Sequence, residues 1–227
     1  MILSIHIPKA AGNSFRELLL AKFGDRMMAD YGDWAGFDTP EANARRAART
    51  AAMRCRRDEL LAKYDVIHGH FVADKYCGLF PDSRFVAFFR DPYQQAVAHY
   101  CFLLRNPGRE HPEERLFHEA KMTLLDYLCW DAFRDQQRQY LGSVAIEDVA
   151  MVGLSCEFAR SLALFRASFG YDLGIERFCN CNPRRKNGEY EITAEVRRAV
   201  ERCRQGDIEL YRRARELFAK QAARAGV

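Results

Sequence analysis

Long hydrophobic runs are missing from this sequence: no stretch approaches about 18 uninterrupted apolar residues, which excludes an apolar spanning helix of ordinary length. The opening Met1-Ile2-Leu3-Ser4-Ile5-His6 has no basic segment ahead of a long apolar one, so it does not read as a secretory leader. Charge of one sign is also scarce. A formal net charge of +4 over 227 residues permits an anionic ligand but gives no argument for nucleic acid. Internal repeats and low-complexity linkers are absent as well. The expectation is a cytoplasmic chain folded as a single domain over residues 1–227, with no transmembrane segment and no nucleic-acid partner.

Cysteine is plentiful, but ligand-like cysteine spacing is not. The eight cysteines are scattered; Cys179 and Cys181 alone are close, and no second Cys/His pair completes a zinc spacing. Several lie in apolar helical patterns, where a free thiol behaves as a small hydrophobe. Reduced intracellular thiols and no bound metal are the expectation.

What is present is a core and an alternation. Apolar residues make up 48% of the chain, enough for a full interior. Short apolar runs at residues 2–7, 65–68, 84–89 and 150–154 read as buried strands. Helical spacing fills the intervals 14–23, 40–64, 92–104, 113–141 (in two pieces) and 156–169. Residues 27–39 and 180–189 read as loops, and 193–224 as terminal helices broken near Gly206 or Asp207. Strands alternating with helices predict an α/β fold, a three-layer sandwich with a central parallel sheet flanked by helices.

The first strand runs straight into Pro8-Lys9-Ala10-Ala11-Gly12-Asn13-Ser14, with Asn13 or Ser14 as the helix N-cap. Strand, loop and helix in this order aim successive backbone N–H groups at an anion. Gly12 lets the backbone approach a phosphate, Ser14 adds a hydroxyl, and Lys9 supplies a charge at the entrance. Lys9 precedes the glycine, whereas nucleoside triphosphatases need Gly-Lys-Ser/Thr at the loop's end, so an ordinary Mg-ATP site is disfavoured. A plain strand-to-helix turn with a solvated lysine is the bland reading.

A second strand ends in Arg90-Asp91-Pro92. Ligands of open α/β sheets bind at the carboxyl ends of strands, so Lys9 and Arg90 are expected to face one crevice. Arginine grips phosphate with a bidentate fork, although pairing with Asp91 is an alternative. A third strand ends in His68-Gly69-His70, whose histidines share a side if the extended geometry persists. A neutral imidazole accepts a hydroxyl proton near pH 7. Metal ligation and ordinary hydrogen bonding are the other readings of this pair, and no third ligand is evident.

Together these segments resemble the carbohydrate sulfotransferases that use 3′-phosphoadenosine 5′-phosphosulfate (PAPS), in particular the branch of the heparan sulfate 2-O-sulfotransferases and their short bacterial relatives. Residues His6 through Arg16 resemble the 5′-phosphosulfate loop, Arg90 through Tyr100 the 3′-phosphate motif, and His68-Gly69-His70 the His-Gly-His segment between them. Gln136 to Leu141, Gly153 to Phe158, Asn182-Pro183-Arg184 and Asp207 to Tyr211 echo further family blocks in the same order. The family motif usually carries Arg and Ser where this chain has Gln95 and Ala98, so a hydroxyl to the 3′-phosphate is missing; Ser83, His99 or Arg184–Lys186 are the candidate substitutes.

The resemblance implies a P-loop-NTPase-like fold and in-line sulfuryl transfer from PAPS to an acceptor hydroxyl, probed first in carbohydrates, leaving PAP. It implies His70 as general base with His68 assisting, and Lys9 beside the leaving oxygen. The cofactor would be held by Lys9, by the Ala11, Gly12, Asn13, Ser14 and Phe15 amides, by Arg90, and by a late basic loop with Arg184 and Lys186. A kinase-like nucleotide-binding enzyme and a non-catalytic PAP/PAPS-binding protein are the alternatives. An arginine face on the 40–64 helix (Arg45, Arg49, Arg56), opposite Ala47, Ala48, Ala51 and Cys55, reads as a solvated surface or a site for an acidic glycan. Tyr31, Trp34 and Phe37 either line an acceptor groove or anchor loops.

Overall fold

The structure, a computed structural model, describes residues 1–33, 39–80, 82–107, 112–174 and 189–227. Strands β1 (Ile2–Ile5), β2 (Met27–Ala29), β3 (Val66–Gly69), β4 (Arg84–Phe89) and β5 (Met151–Leu154) form one sheet in the order β2-β3-β1-β4-β5. Every pairing is parallel. The helices are α1 (Gly12–Phe23), α2 (Pro40–Cys55), α3 (Arg57–Lys63), α4 (Pro92–Arg105), α5 (Pro112–Glu119), α6 (Leu124–Cys129), α7 (Gln136–Leu141), α8 (Phe158–Phe169), α9 (Ala194–Cys203) and α10 (Gln205–Ala225). The expected α/β architecture, a central parallel sheet flanked by helices, is the one observed.

Its physical basis is visible in the strands. All residues of β1, β3 and β5 are buried, so both faces of the sheet centre are covered, as parallel strands require. Leu3, Ile5, Val86 and Val152 fill the sheet, and Phe15 of α1 packs between Phe88 and Phe165. Each such ring contributes on the order of 1.5–3 kcal/mol by leaving water. A second apolar cluster joins α4, α6 and α9 through Val97, Leu103, Tyr127, Leu128, Val196 and Val200.

Four local expectations are corrected. Met27–Ala29, read as loop, pairs with β3 as the edge strand. The 40–64 helix breaks at Arg56, where a turn brings Leu60 of α3 to complete burial. Helix α1 begins at Gly12, with Ala11 in the left-handed region at φ 69° and no side-chain cap, so neither Asn13 nor Ser14 is its N-cap. The terminal helices part at the buried Arg204, because Asp207 already belongs to α10 and faces inward.

The cysteine expectation is corrected too. Cys129 at the end of α6 and Cys203 at the end of α9 form a disulfide across a Cα separation of 5.2 Å. Packing of α6 on α9 brings together two thiols that the sequence separates by 74 residues. This pair is therefore oxidised, unlike the reduced thiols expected throughout the chain. No helix among the described residues is long and apolar enough to cross a membrane.

Candidate functional site

The central strand β1 ends at the loop that the sequence singled out. Lys9 (φ 61°) and Ala11 (φ 69°) both adopt the left-handed region, while Ala10 between them does not. Left-handed backbone in residues bearing a Cβ costs of order 1–3 kcal/mol each, and such outliers concentrate at binding sites. Alternation of this kind turns N–H groups toward a concavity, an anion nest, although here the Ala10 N–H is donated to the Ile7 carbonyl at 3.3 Å. The first turn of α1, whose N-cap makes no side-chain hydrogen bond, adds the amides of Gly12 and Asn13, whereas the Phe15 N–H is spent on the Ala11 carbonyl at 3.1 Å. Phe15 thus serves the core and not the cradle, and the Asn13 side chain is exposed.

Gly12 has a structural role as well. A Cβ there would lie 1.8 Å from Cδ2 of His6, so the missing side chain makes room for an imidazole packed on the loop. Lys9 extends its ammonium over the Phe102 ring of α4, 4.7 Å from the centroid. Arg90, just past β4, donates from a guanidinium nitrogen to the Lys9 carbonyl at 3.1 Å. The two strand ends that carry the cations therefore meet.

The histidines follow from strand register. Ser4 pairs with His68 and Ile5 with Gly69, so continuing the ladder places His6 beside His70. The His6 N–H donates to the Gly69 carbonyl at 2.8 Å. His70 Nδ1 lies 2.5 Å from the His6 carbonyl oxygen, which can only accept. Nδ1 must carry the proton, leaving Nε2 as the basic nitrogen of His70. The His6 ring stacks on that of His70 at 4.1 Å, and His6 Nδ1 is 3.0 Å from the Tyr31 hydroxyl. Burial, and then the neighbouring His70 and His68, hold His6 well below the usual imidazole range.

His68 occupies a different position from the one expected. It has no exposed surface, and its Nδ1 pairs with Ser4 Oγ at 2.8 Å. Burial lowers its pKa to about 3, so it stays neutral. It packs beneath His6, ring centroids 5.1 Å apart.

The arginine face expected along residues 40–64 splits: Arg45 and Arg56 stay exposed, but Arg49 does not. Arg49 turns inward to Asp30 (2.6 Å) and Asp33 (3.2 Å), while Ala47, Ala48, Ala51 and Cys55 face solvent. Two buried carboxylates decide this, since they demand compensating cations. Lys75 supplies the second, at 2.6 Å from Asp30 and 2.9 Å from Asp33, and the Tyr76 hydroxyl donates to Asp30 at 2.8 Å. Burial alone would raise the Asp30 pKa; Lys75, Tyr76 and Arg49 outweigh it and hold it below the ordinary value. Gly32 is needed here, because a Cβ would fall 1.9 Å from the Arg49 guanidinium carbon. Arg45 donates to the Gly32 carbonyl and Arg56 pairs with Glu59, so these arginines are engaged within the chain. The network pins the segment that delivers Tyr31 to His6.

On the side assigned to a 3′-phosphate, Gln95 is fully buried and its amide donates to the Pro8 carbonyl (3.0 Å) and to Gln136 (2.7 Å). Ala98 is fully buried. Ser83 precedes β4, about six residues and roughly 20 Å of strand from Arg90, at the wrong end of the sheet. His99 is buried with Nδ1 on the Tyr127 hydroxyl at 2.8 Å, facing the second core. Arg184 and Lys186, with Trp34 and Phe37, lie outside the described residues.

Sequence reasoning placed His6, Gln136, Gln137 and Asp207 within family-like blocks but gave none of them a role in this assembly. The signal for His6 was available: Ser4 and His6 repeat the two-residue spacing of His68 and His70 on neighbouring strands. No group of metal-ligating side chains lies among the described residues.

No protein-family model matches the chain, and no curated protein matches it. Among solved structures it is similar to a sulfotransferase from Alicyclobacillus acidocaldarius, with 18% identity, a TM-score of 0.45, and coverage of 98% of this chain and 93% of that one.

Proposed function

We propose that the chain is a sulfotransferase that moves a sulfuryl group from PAPS to an acceptor hydroxyl, with a carbohydrate as the first acceptor class to examine. The observation that carries this reading is the meeting of the Lys9–Ser14 nest with Arg90 beside a histidine whose Nε2 is the basic nitrogen. PAPS, when bound, supplies the transferable group and a phosphate leaving group. The residues present fit its 5′ side: left-handed Lys9 and Ala11 form an anion nest, and Lys9 and Ser14 flank it. The fit on the 3′ side rests on Arg90, because Gln95 is spent on Pro8 and Gln136, and residue 98 lacks a hydroxyl.

Each residue then has a task. The nest amides bind the 5′-phosphate by charge-assisted hydrogen bonds. Lys9 leaves the Phe102 ring, an interaction worth about 0.5–2 kcal/mol, and neutralises charge growing on the leaving oxygen. His70 accepts the acceptor's proton at Nε2 while its Nδ1–H stays on the His6 carbonyl. Arg90 grips the 3′-phosphate and holds the Lys9 carbonyl, linking the two anion sites. A sulfuryl group carries less negative charge than a phosphoryl group, so the reaction is written without a metal ion.

Calorimetry with 3′-phosphoadenosine 5′-phosphate (PAP) against ATP–Mg²⁺ tests the donor. Tighter binding of PAP supports the reading, and preference for ATP overturns it in favour of a kinase-like enzyme. Transfer of labelled sulfate from PAPS to a panel of desulfated polysaccharides, lipids and phenols then separates an enzyme from a binding protein.

A further inference from the structure

The glutamines at the start of α7 have no part in the chemistry above, yet they touch both anion-binding strand ends. Gln137 is fully buried, and its side-chain amide clamps the main chain of Arg90 from both sides. Oε1 accepts from the Arg90 N–H at 3.0 Å, and Nε2 donates to the Arg90 carbonyl at 2.9 Å. Gln136 accepts from Gln95, whose same nitrogen donates to the Pro8 carbonyl. One short helix therefore holds Arg90, just past β4, and, through Gln95, Pro8, just ahead of the nest.

The helix is itself anchored. Asp207 of α10, wholly buried, accepts from the N–H groups of Gln137 (3.2 Å) and Arg138 (2.9 Å). In return Asp135, immediately before α7, accepts from the Asp207 N–H at 2.8 Å. Two helix starts thus cap one another, and six residues of helix become a fixed strut where an isolated turn would fray.

We infer that Gln137 is a positioning residue: α7 sets the distance between the nest and Arg90, and so selects adenosine ligands that carry phosphate at both the 5′ and 3′ ends. The inference rests on the PAPS reading. Only a ligand engaging both strand ends senses their separation; a ligand with one phosphate does not.

The test is a ratio of affinities. PAP and adenosine 5′-monophosphate are titrated by calorimetry into the wild-type chain, Gln137→Met and Gln95→Met. Wild type is expected to prefer PAP; Gln137→Met should lose that preference by about ten-fold while affinity for the monophosphate stays within about two-fold, because buried Arg90 main-chain groups left unpaired relax the strut. Gln95→Met cuts the other arm and should reduce the ratio likewise, and it decides the matter if Gln137→Met fails to fold. General destabilisation would lower both affinities together and leave the ratio intact. If wild type prefers PAP and a folded variant keeps the full preference, the positioning role is overturned alone. If wild type shows no preference for PAP, the donor reading fails and this inference falls with it.

Discussion

His70 is the residue whose surroundings make the sharpest claim. The His6 carbonyl fixes its tautomer, so removing the imidazole should cost the base and little else. His70→Ala is expected to lower turnover by about 10²–10⁴-fold with PAP affinity kept, as read by labelled transfer and calorimetry; an active variant refutes the assignment. Lys9→Ala should lose turnover as fully, because no other cation is assigned to the leaving oxygen. His68 makes a claim about stability. Its folded pKa of about 3 lies below the ordinary 6.5, so unfolding takes up a proton between those values. Its contribution is fully present above pH 6.5 and is lost as pH falls toward 3. Asp207 runs the other way: burial raises it to about 7 from 3.8, so its contribution is present below 3.8 and is lost as pH rises through 7. The two windows overlap with opposite sign, so urea midpoints measured from pH 3 to 8 should fall with rising pH between 3.8 and 7 in His68→Gln, rise between 3 and 6.5 in Asp207→Asn, and change less than either in the wild type. The loop after β1 and the strand-end place of His70 were legible in the sequence, because strand-end residues have few places to go, whereas the burial of His68 was not. The tautomer was not, since it depends on a carbonyl 64 residues away. Gly12 was legible as a required glycine, but its contact with the His6 ring was not, because that ring reaches it only through the fold.

Among the elements, α2 shows where periodicity alone fails. Its alanine face and arginine face are both real, but periodicity does not say which residues turn inward. Asp30 and Asp33 lie in another segment, and their burial drew Arg49 in with them. The break at Arg56 was invisible for a similar reason, since neither glycine nor proline marks it and the burial of Leu60 supplies the cause. β2 escaped because three residues are too few to show alternation. The packing of α6 on α9 carries a prediction of its own. Replacing Cys129 and Cys203 by serine should lower unfolding free energy by about 2–4 kcal/mol in urea titrations, with a reducing agent giving the same shift in the wild type and none in the variant.

For the molecule as a whole, the parallel sheet was readable because buried parallel strands are short unbroken apolar runs, and four of the five stood out in that way. Strand order was not in the pattern, yet it decides the site: β1 sits between β3 and β4, so the ends bearing His70, Lys9 and Arg90 are adjacent. The bond between Cys129 and Cys203 has a consequence at this scale as well. It closes residues 129–203 into a covalent ring, so a single backbone cut inside that interval leaves one molecule of unchanged mass apart from an added water. Limited proteolysis should therefore yield a nicked chain that migrates intact on a non-reducing gel and separates into two bands after reduction. Such a chain can be opened without being divided, and ligand binding by the nicked form before and after reduction would report whether the two halves remain docked by packing alone.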